Sequence, residues 1–187
     1  MTDAGFLLFD GASHKRALAW LCQTFPEHGA RPLLLDTAYA SLADIGPILL
    51  EADGGSALRN AWCQGVPELR HAVWLKSNFA LHDLRDTLRR RLRIFSPDGR
   101  EFWLRLADGR PLLNAWRKNS QWPSGFWHGV HEIWLHDGEA PLLAWRNPSP
   151  EQDETVASDT LDAQITLDWP LLEALAHSET TLQEATT

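Results

Sequence analysis

The chain has 187 residues, 44% of them hydrophobic, and a net charge of −8. That length suits one domain, or one domain with a tail, and it buries enough surface to fold without a disulfide or metal staple. No apolar run approaches the ~20 residues of a membrane span. Nine acids and no Lys or Arg follow Arg146, which opposes nucleic-acid binding.

The start, Met1-Thr2-Asp3-Ala4-Gly5, is acidic where a signal peptide is basic. Cys22 and Cys63 form no CxxC pair and fall in segments that read as helical, so they are expected to be buried free thiols in a reducing compartment. The expectation is a soluble, cytoplasmic protein. Up to Arg146 the 17 basic residues face 16 acidic ones, so the negative charge sits in the last forty residues.

Phe6 to Gly11 is a short apolar run closed by turn residues, which reads as a buried strand. Ser13 is positioned to cap a helix in which Ala17, Leu18, Leu21, Cys22 and Phe25 recur at helical spacing until Pro26. Arg31 to Asp36 reads as a second strand, Tyr39 to Asp44 as a turn or short helix, and Pro47 to Ala52 as a third strand. Ser56 to Gln64 is helical, and His71 to Lys76 is a strand whose exit at Ser77-Asn78 caps the next helix.

That helix, Leu81 to about Arg93, carries a Leu81, Leu84, Leu88, Leu92 stripe, with Asp83 and Asp86 near its positive end and Arg89 to Arg93 near its negative end. Ser96-Pro97-Asp98-Gly99 is a turn that pairs Arg93-Ile94-Phe95 with Glu101 to Leu106. Arg110 to Lys118 reads as a helix, followed by an irregular Trp- and Gly-rich loop. A hairpin joins His131–His136 to Pro141–Trp145, Asn147 to Asp162 reads as a loose polar linker, and Trp169 to Ala176 as a terminal amphipathic helix. The fold class is therefore α/β of mixed α+β type, with a mixed sheet flanked by helices, a C-terminal hairpin and a terminal helix. It divides as an α/β domain over 1–146 and an acidic linker with a helix over 147–187.

Chemistry is scarce. No P-loop, GxGxxG or G-x-S-x-G is present. In the cluster His128, His131, Glu132 and His136, His131 points to one strand face and Glu132 and His136 to the other, so the four do not converge without a bend after Gly129; no metal and no cofactor is expected. Asp10, Asp36, Asp44 and Asp108 each follow an apolar run, where catalytic groups sit in many α/β enzymes, but polar residues also end strands where the chain turns into water. No catalytic residue is assigned.

Two features suggest a protein partner. Arg85, Arg89 and Arg93 recur every four residues opposite the leucines, either as a solvated face or as a stripe that docks a carboxylate-rich surface. Trp116, Trp122 and Trp127 lie in or beside the irregular loop, either as interface anchors or folded back over the core. Trp74, Trp103 and Trp134, in regular strands, are expected in the core.

The order of segments resembles the effector adaptors, or chaperones, of bacterial type VI secretion. Leu7-Leu8-Phe9-Asp10-Gly11-Ala12 is similar to that family's opening strand and turn, and Tyr39 to Leu50, containing Asp44, Gly46 and Pro47, to its Gly-Pro strand entry. Trp74 to Ser77, the helix through Leu92 and the turn Pro97-Asp98-Gly99 follow the same order. Arg105 to Leu112 is similar to Arg-Phe-Tyr-Asp-Pro-Arg-Val-Leu. Arg105, Asp108 and Arg110 are kept there, while Leu106, Ala107 and Gly109 stand for Phe, Tyr and Pro, so no role of those aromatics transfers. The likeness spans about Phe6 to Trp145. It implies a non-enzymatic adaptor that holds an effector toxin protein in the cytoplasm and helps load it onto the spike protein of the secretion tube. From charge and hydropathy, no nucleic-acid and no membrane partner is expected. The competing expectations are an immunity-type inhibitor of a toxin, or a small hydrolase or carbohydrate-binding protein.

Overall fold

The computed structural model describes residues 4–176. In chain order it contains β1 (Ala4–Asp10), α1 (Ala17–Thr24), β2 (Arg31–Pro32), β3 (Pro47–Glu51), α2 (Ala57–Cys63), β4 (Val73–Ser77) and α3 (Leu81–Arg89). There follow β5 (Arg93–Phe95), β6 (Glu101–Trp103), α4 (Gly109–Arg117), β7 (Val130–His136), β8 (Pro141–Arg146) and α5 (Trp169–Ala176). Six strands form one sheet in the order β2-β3-β1-β4-β7-β8, while β5 and β6 form a separate pair. The α+β class, the C-terminal hairpin and the terminal helix are as the sequence indicates, and every pairing in the large sheet is antiparallel.

β1 is apolar without alternation because both of its faces are covered. Phe6 and Leu8 enter one core with Leu84, Leu88, Leu112 and Leu171 from α3, α4 and α5, whereas Leu7 and Phe9 enter a second with Leu21, Leu58 and Trp62 from α1 and α2. The period of two along a strand sends successive side chains to opposite faces, so a continuous hydrophobic run marks the middle layer of three.

Several local expectations change in the folded chain. Ser13 lies in a tight 3₁₀ turn, Gly11–Ser13, capped by Asp10, and its hydroxyl donates to the Asp10 carbonyl. The cap of α1 comes from 26 residues away, where the Asp44 carboxylate accepts the Leu18 N–H at 2.8 Å. Of the strand expected over Arg31 to Asp36 only Arg31–Pro32 pairs, since Asp36 takes φ 63 and turns the chain away. The helix expected to reach Arg93 ends at Arg89; Arg91 and Leu92 bond back three residues to Leu88 and Arg89, and Leu92 then accepts from Leu104 to start the β5–β6 ladder. No side chain caps α3: the Ser77 hydroxyl accepts from Phe79 N–H and donates to the Gly129 carbonyl. Cys22 is exposed rather than buried, because the amphipathic face of α1 is narrow and Leu21 takes the inward position. Both thiols are free, and Cys63 is half-buried beside the Arg59 guanidinium.

The polar stretch after Asn147 lies against the domain. Leu161, Ile165 and Leu167 are buried in the same core as α3 to α5, and Phe95 exchanges main-chain bonds with Ile165 (2.8 Å) and Leu167 (2.9 Å). Arg91 anchors this arrangement. Its side chain is fully buried, and it donates to the carbonyls of Thr87, Gly125 and Phe126, to Thr155 Oγ1, and to Asp153 at 2.6 Å. Arg90 reaches the same Asp153 from outside. Among the described residues no helix is long and apolar enough to cross a membrane.

Burial alone raises the Asp153 pKa, but the Thr155 hydroxyl and amide and the Arg91 guanidinium outweigh it and hold the carboxyl at about 2. A carboxylate held below its unfolded value stabilises the fold above pH ~4 and loses that contribution as pH falls toward 2. Urea unfolding across pH 2–7 is therefore expected to show a steep loss over that window, flattened in Asp153→Asn. Arg91→Ala, which strands three buried carbonyls and opens a cavity, is expected to cost about 3 kcal/mol or more at neutral pH.

Candidate functional site

The residues that carry the family likeness converge at one end of the sheet. β1 and β3 pair in a register that sets Asp10 opposite Pro47. The Gly11 N–H donates to the Gly46 carbonyl at 3.0 Å, and a Cβ on Gly11 would sit 2.4 Å from the Asp44 carbonyl oxygen. Only glycine allows the two turns to meet this closely.

Asp108 arrives at this junction from the loop before α4. It is 2% exposed and caps α4 by accepting the Arg110 N–H. The Arg110 guanidinium meets both of its oxygens at 2.9 Å, and Arg105 reaches it at 3.0 Å. Arg105 also bonds Asp10 at 2.7 Å, so one guanidinium ties the first turn to the α4 entry. Burial pushes the Asp108 pKa up, but the bonds from Arg110 and the charge of Arg105 outweigh this and leave it below the ordinary value; the Arg110 pKa is raised by the same bonds.

Charge is arranged by depth. The Asp10 and Asp108 side chains are 14% and 2% exposed, whereas Arg105 and Arg110 are 57% and 54% exposed. Solvent thus meets guanidinium.

Beside this network the surface is apolar. A depression of about 320 Å³ is lined by Leu34, Leu42, Ile45, Pro47 and Trp103, and a second of about 360 Å³ by Ile94, Phe102, Pro111, Trp169 and Leu172. Trp103, Leu104 and Arg105 border both. Leu42, Ile45, Phe102, Trp103 and Trp169 are all exposed. Trp103, expected in the core, is 49% exposed because it lies on an edge strand outside the large sheet. Trp74 is buried and Trp134 half-buried, as strand tryptophans on the central sheet.

The other expected contact residues lie elsewhere. Arg85 and Arg89 are on α3, but Arg93 is on β5, so the three make no continuous helical stripe. Arg89 donates to the carbonyls of Leu33 and Leu35, Arg85 pairs with Asp86, and Arg93 pairs with Glu101 and lies over the Trp103 ring. Trp122 stacks on Phe126 at 4.6 Å and meets Trp127 and Trp145 edge-on, and Trp127 is buried. These rings form a core under the irregular loop. Trp116 remains exposed on α4.

His128 contacts Phe79, His136 contacts Trp62, and Glu132 accepts from the Trp134 indole, so the histidine-rich hairpin is not gathered into one site. Sequence reasoning missed Leu42, Ile45, Phe102 and Trp169 as exposed groups. The sequence carried no signal for them: the strand after Pro97-Asp98-Gly99 reads as Glu101 to Leu106, and only the fold shortens it to Glu101–Trp103 and leaves it paired on one side.

Residues 5–123, well over half of the chain, match the family described as "Domain of unknown function (DUF4123)", and the chain belongs to that family. No curated protein and no solved structure matches it.

Two substitutions separate structural from exposed roles here. Trp127→Ala, which removes a buried ring from an aromatic cluster, is expected to cost about 3–5 kcal/mol in urea unfolding, against less than about 1 kcal/mol for Trp116→Ala. Asp108→Ala is expected to cost about 1–2 kcal/mol, since it removes a helix cap while its arginine partners remain free to resolvate.

Proposed function

We propose that the chain is a non-enzymatic adaptor that binds an effector toxin protein of type VI secretion and helps load it onto the spike protein. The observation that carries this reading is the exposed apolar surface over β6, Trp169 and the Leu42–Ile45 turn, whose two depressions share Trp103, Leu104 and Arg105. Half-exposed Trp and Phe side chains are costly to leave in water, and covering the exposed remainder of each gives on the order of 1 kcal/mol. Aromatic and arginine side chains of this kind dominate protein interfaces. Apart from Trp169 and its neighbours on α5, the surface lies inside the span that matches the family and beside the motif residues that resemble effector adaptors.

The motif residues support the reading in a second way. Asp10, Gly11, Asp44, Gly46 and Asp108 are spent on capping helices and locking turns, which holds a rigid rim around the apolar surface. A preorganised surface loses less entropy when a partner docks.

The test is co-expression with an effector toxin from a neighbouring gene, where one is found, followed by size-exclusion chromatography. A single co-eluting peak in mild salt is expected, and the toxin's catalytic domain is expected to keep its toxicity in cells that express the chain. Separate elution would overturn the reading. Rescue of cells from the isolated toxic domain would replace it with an immunity-type inhibitor.

A further inference from the structure

We propose that the free edge of β6 receives an extended segment of the protein the chain binds, which adds to the β5–β6 pair as a third strand. The inference rests on the adaptor reading above and names its mode of contact.

The bonding pattern of the pair determines which main-chain groups are available. Ser96 N–H bonds the Arg100 carbonyl and Leu104 N–H bonds the Leu92 carbonyl. Inward-bonded residues alternate along an antiparallel ladder, so Phe102, opposite Ile94, is inward-bonded as well. Glu101 and Trp103, the residues between, direct their N–H and C=O groups away from β5. On the far side of β5 the edge is already taken, since Phe95 bonds Ile165 and Leu167. Among the described residues β6 pairs with β5 alone, so one open edge remains.

That edge is short, three residues, but carries none of the other usual protections. Edge strands are commonly shielded by charge, proline or a bulge. β6 instead has half-exposed Phe102 at its centre and half-exposed Trp103 at its end, and its one charge, Glu101, is held by Arg93. The two aromatic side chains point to opposite faces. Arg100 lies over both Phe102 and Trp169, which sets Phe102 on the side of the 360 Å³ depression. Trp103 meets Tyr39 edge-on at 5.0 Å, toward the 320 Å³ depression. A strand added to the edge sends alternate side chains to opposite faces, so each face meets one depression.

The chemistry of the occupant follows. Its alternate residues are apolar, and a carboxylate lies near the Arg105 end, where guanidinium is exposed and its own acids are not. Residues 177–187 of this chain contain one large apolar residue, Leu182, which does not supply side chains for two apolar depressions.

The probe is the effector toxin that co-elutes with the chain in the test above, titrated calorimetrically against full-length variants. Glu101→Pro removes one outward N–H while leaving the inward β5 bonds in place; Glu101→Ala removes the same carboxylate but keeps that N–H. Affinity is expected to fall at least tenfold for Glu101→Pro relative to Glu101→Ala, and at least tenfold for Phe102→Glu, with melting temperatures of the two Glu101 variants within a few degrees of each other. In hydrogen exchange of the unmodified chain, the Glu101 and Trp103 amides are expected to exchange rapidly alone and at least tenfold slower in the complex. A wild-type complex whose affinity survives Glu101→Pro and Phe102→Glu overturns strand addition and leaves the adaptor reading standing. Failure of the wild type to bind overturns both. Protection of the two amides in the free chain overturns the proposal in favour of the chain's own terminal segment, or of a second copy if the protection rises with concentration.

Discussion

A guanidinium carries five N–H donors and does not shed its charge, so an arginine without solvent contact must find every partner inside the protein. Arg91 does so by drawing three parts of the chain together: the end of α3 at Thr87, the Gly125–Phe126 loop, and Asp153 with Thr155. This arrangement has consequences well beyond its own contacts. It ends the helix, pins the aromatic loop that holds Trp122 and Trp127, and starts the acidic segment on a path that brings Ile165 and Leu167 to β5. With that edge of β5 taken, β6 is left at the margin.

The candidate surface is thus a by-product of how the core closes. Its rim is stiff for local reasons. Asp44 caps a helix whose preceding residue, Arg16, lies in the left-handed region and offers no side-chain cap. Asp108 caps α4 and holds two arginines, one of which reaches back to Asp10. A chain of caps and ion pairs therefore links the first turn, the β3 entry and α4. The arginines in this chain hold buried carboxylates while facing solvent, which gives the apolar surface a cationic border.

The distribution of tryptophan shows how position decides between core and surface. Trp62 and Trp74 lie under the central sheet and donate their indole N–H groups to the Ala72 and Ala52 carbonyls. Trp127, in an irregular loop, is buried because Arg91 fixes that loop inward. Trp103, in a regular strand, is half-exposed because its strand has a partner on one side only. Regularity of local structure is a poor guide to burial when the element lies at an edge.

Hydrophobic periodicity and turn chemistry determined most of the elements directly: β1, α2, the Pro97-Asp98-Gly99 hairpin, the β7–β8 hairpin and α5 are visible in residues close together in the chain. The family motif was legible for the same reason, as short runs of residues in order. What the tertiary structure alone decided depends on partners far apart in sequence. The cap of α1 lies 26 residues away, the partner of Arg91 lies 62 away, and the partner of Arg105 lies 95 away. Sequence pattern reports which face of an element is apolar, but whether an arginine or a tryptophan on it meets protein or water is set by long-range closure of the chain. The open edge of β6 is such a property, because it exists only once a distant segment has taken the opposite edge of the pair.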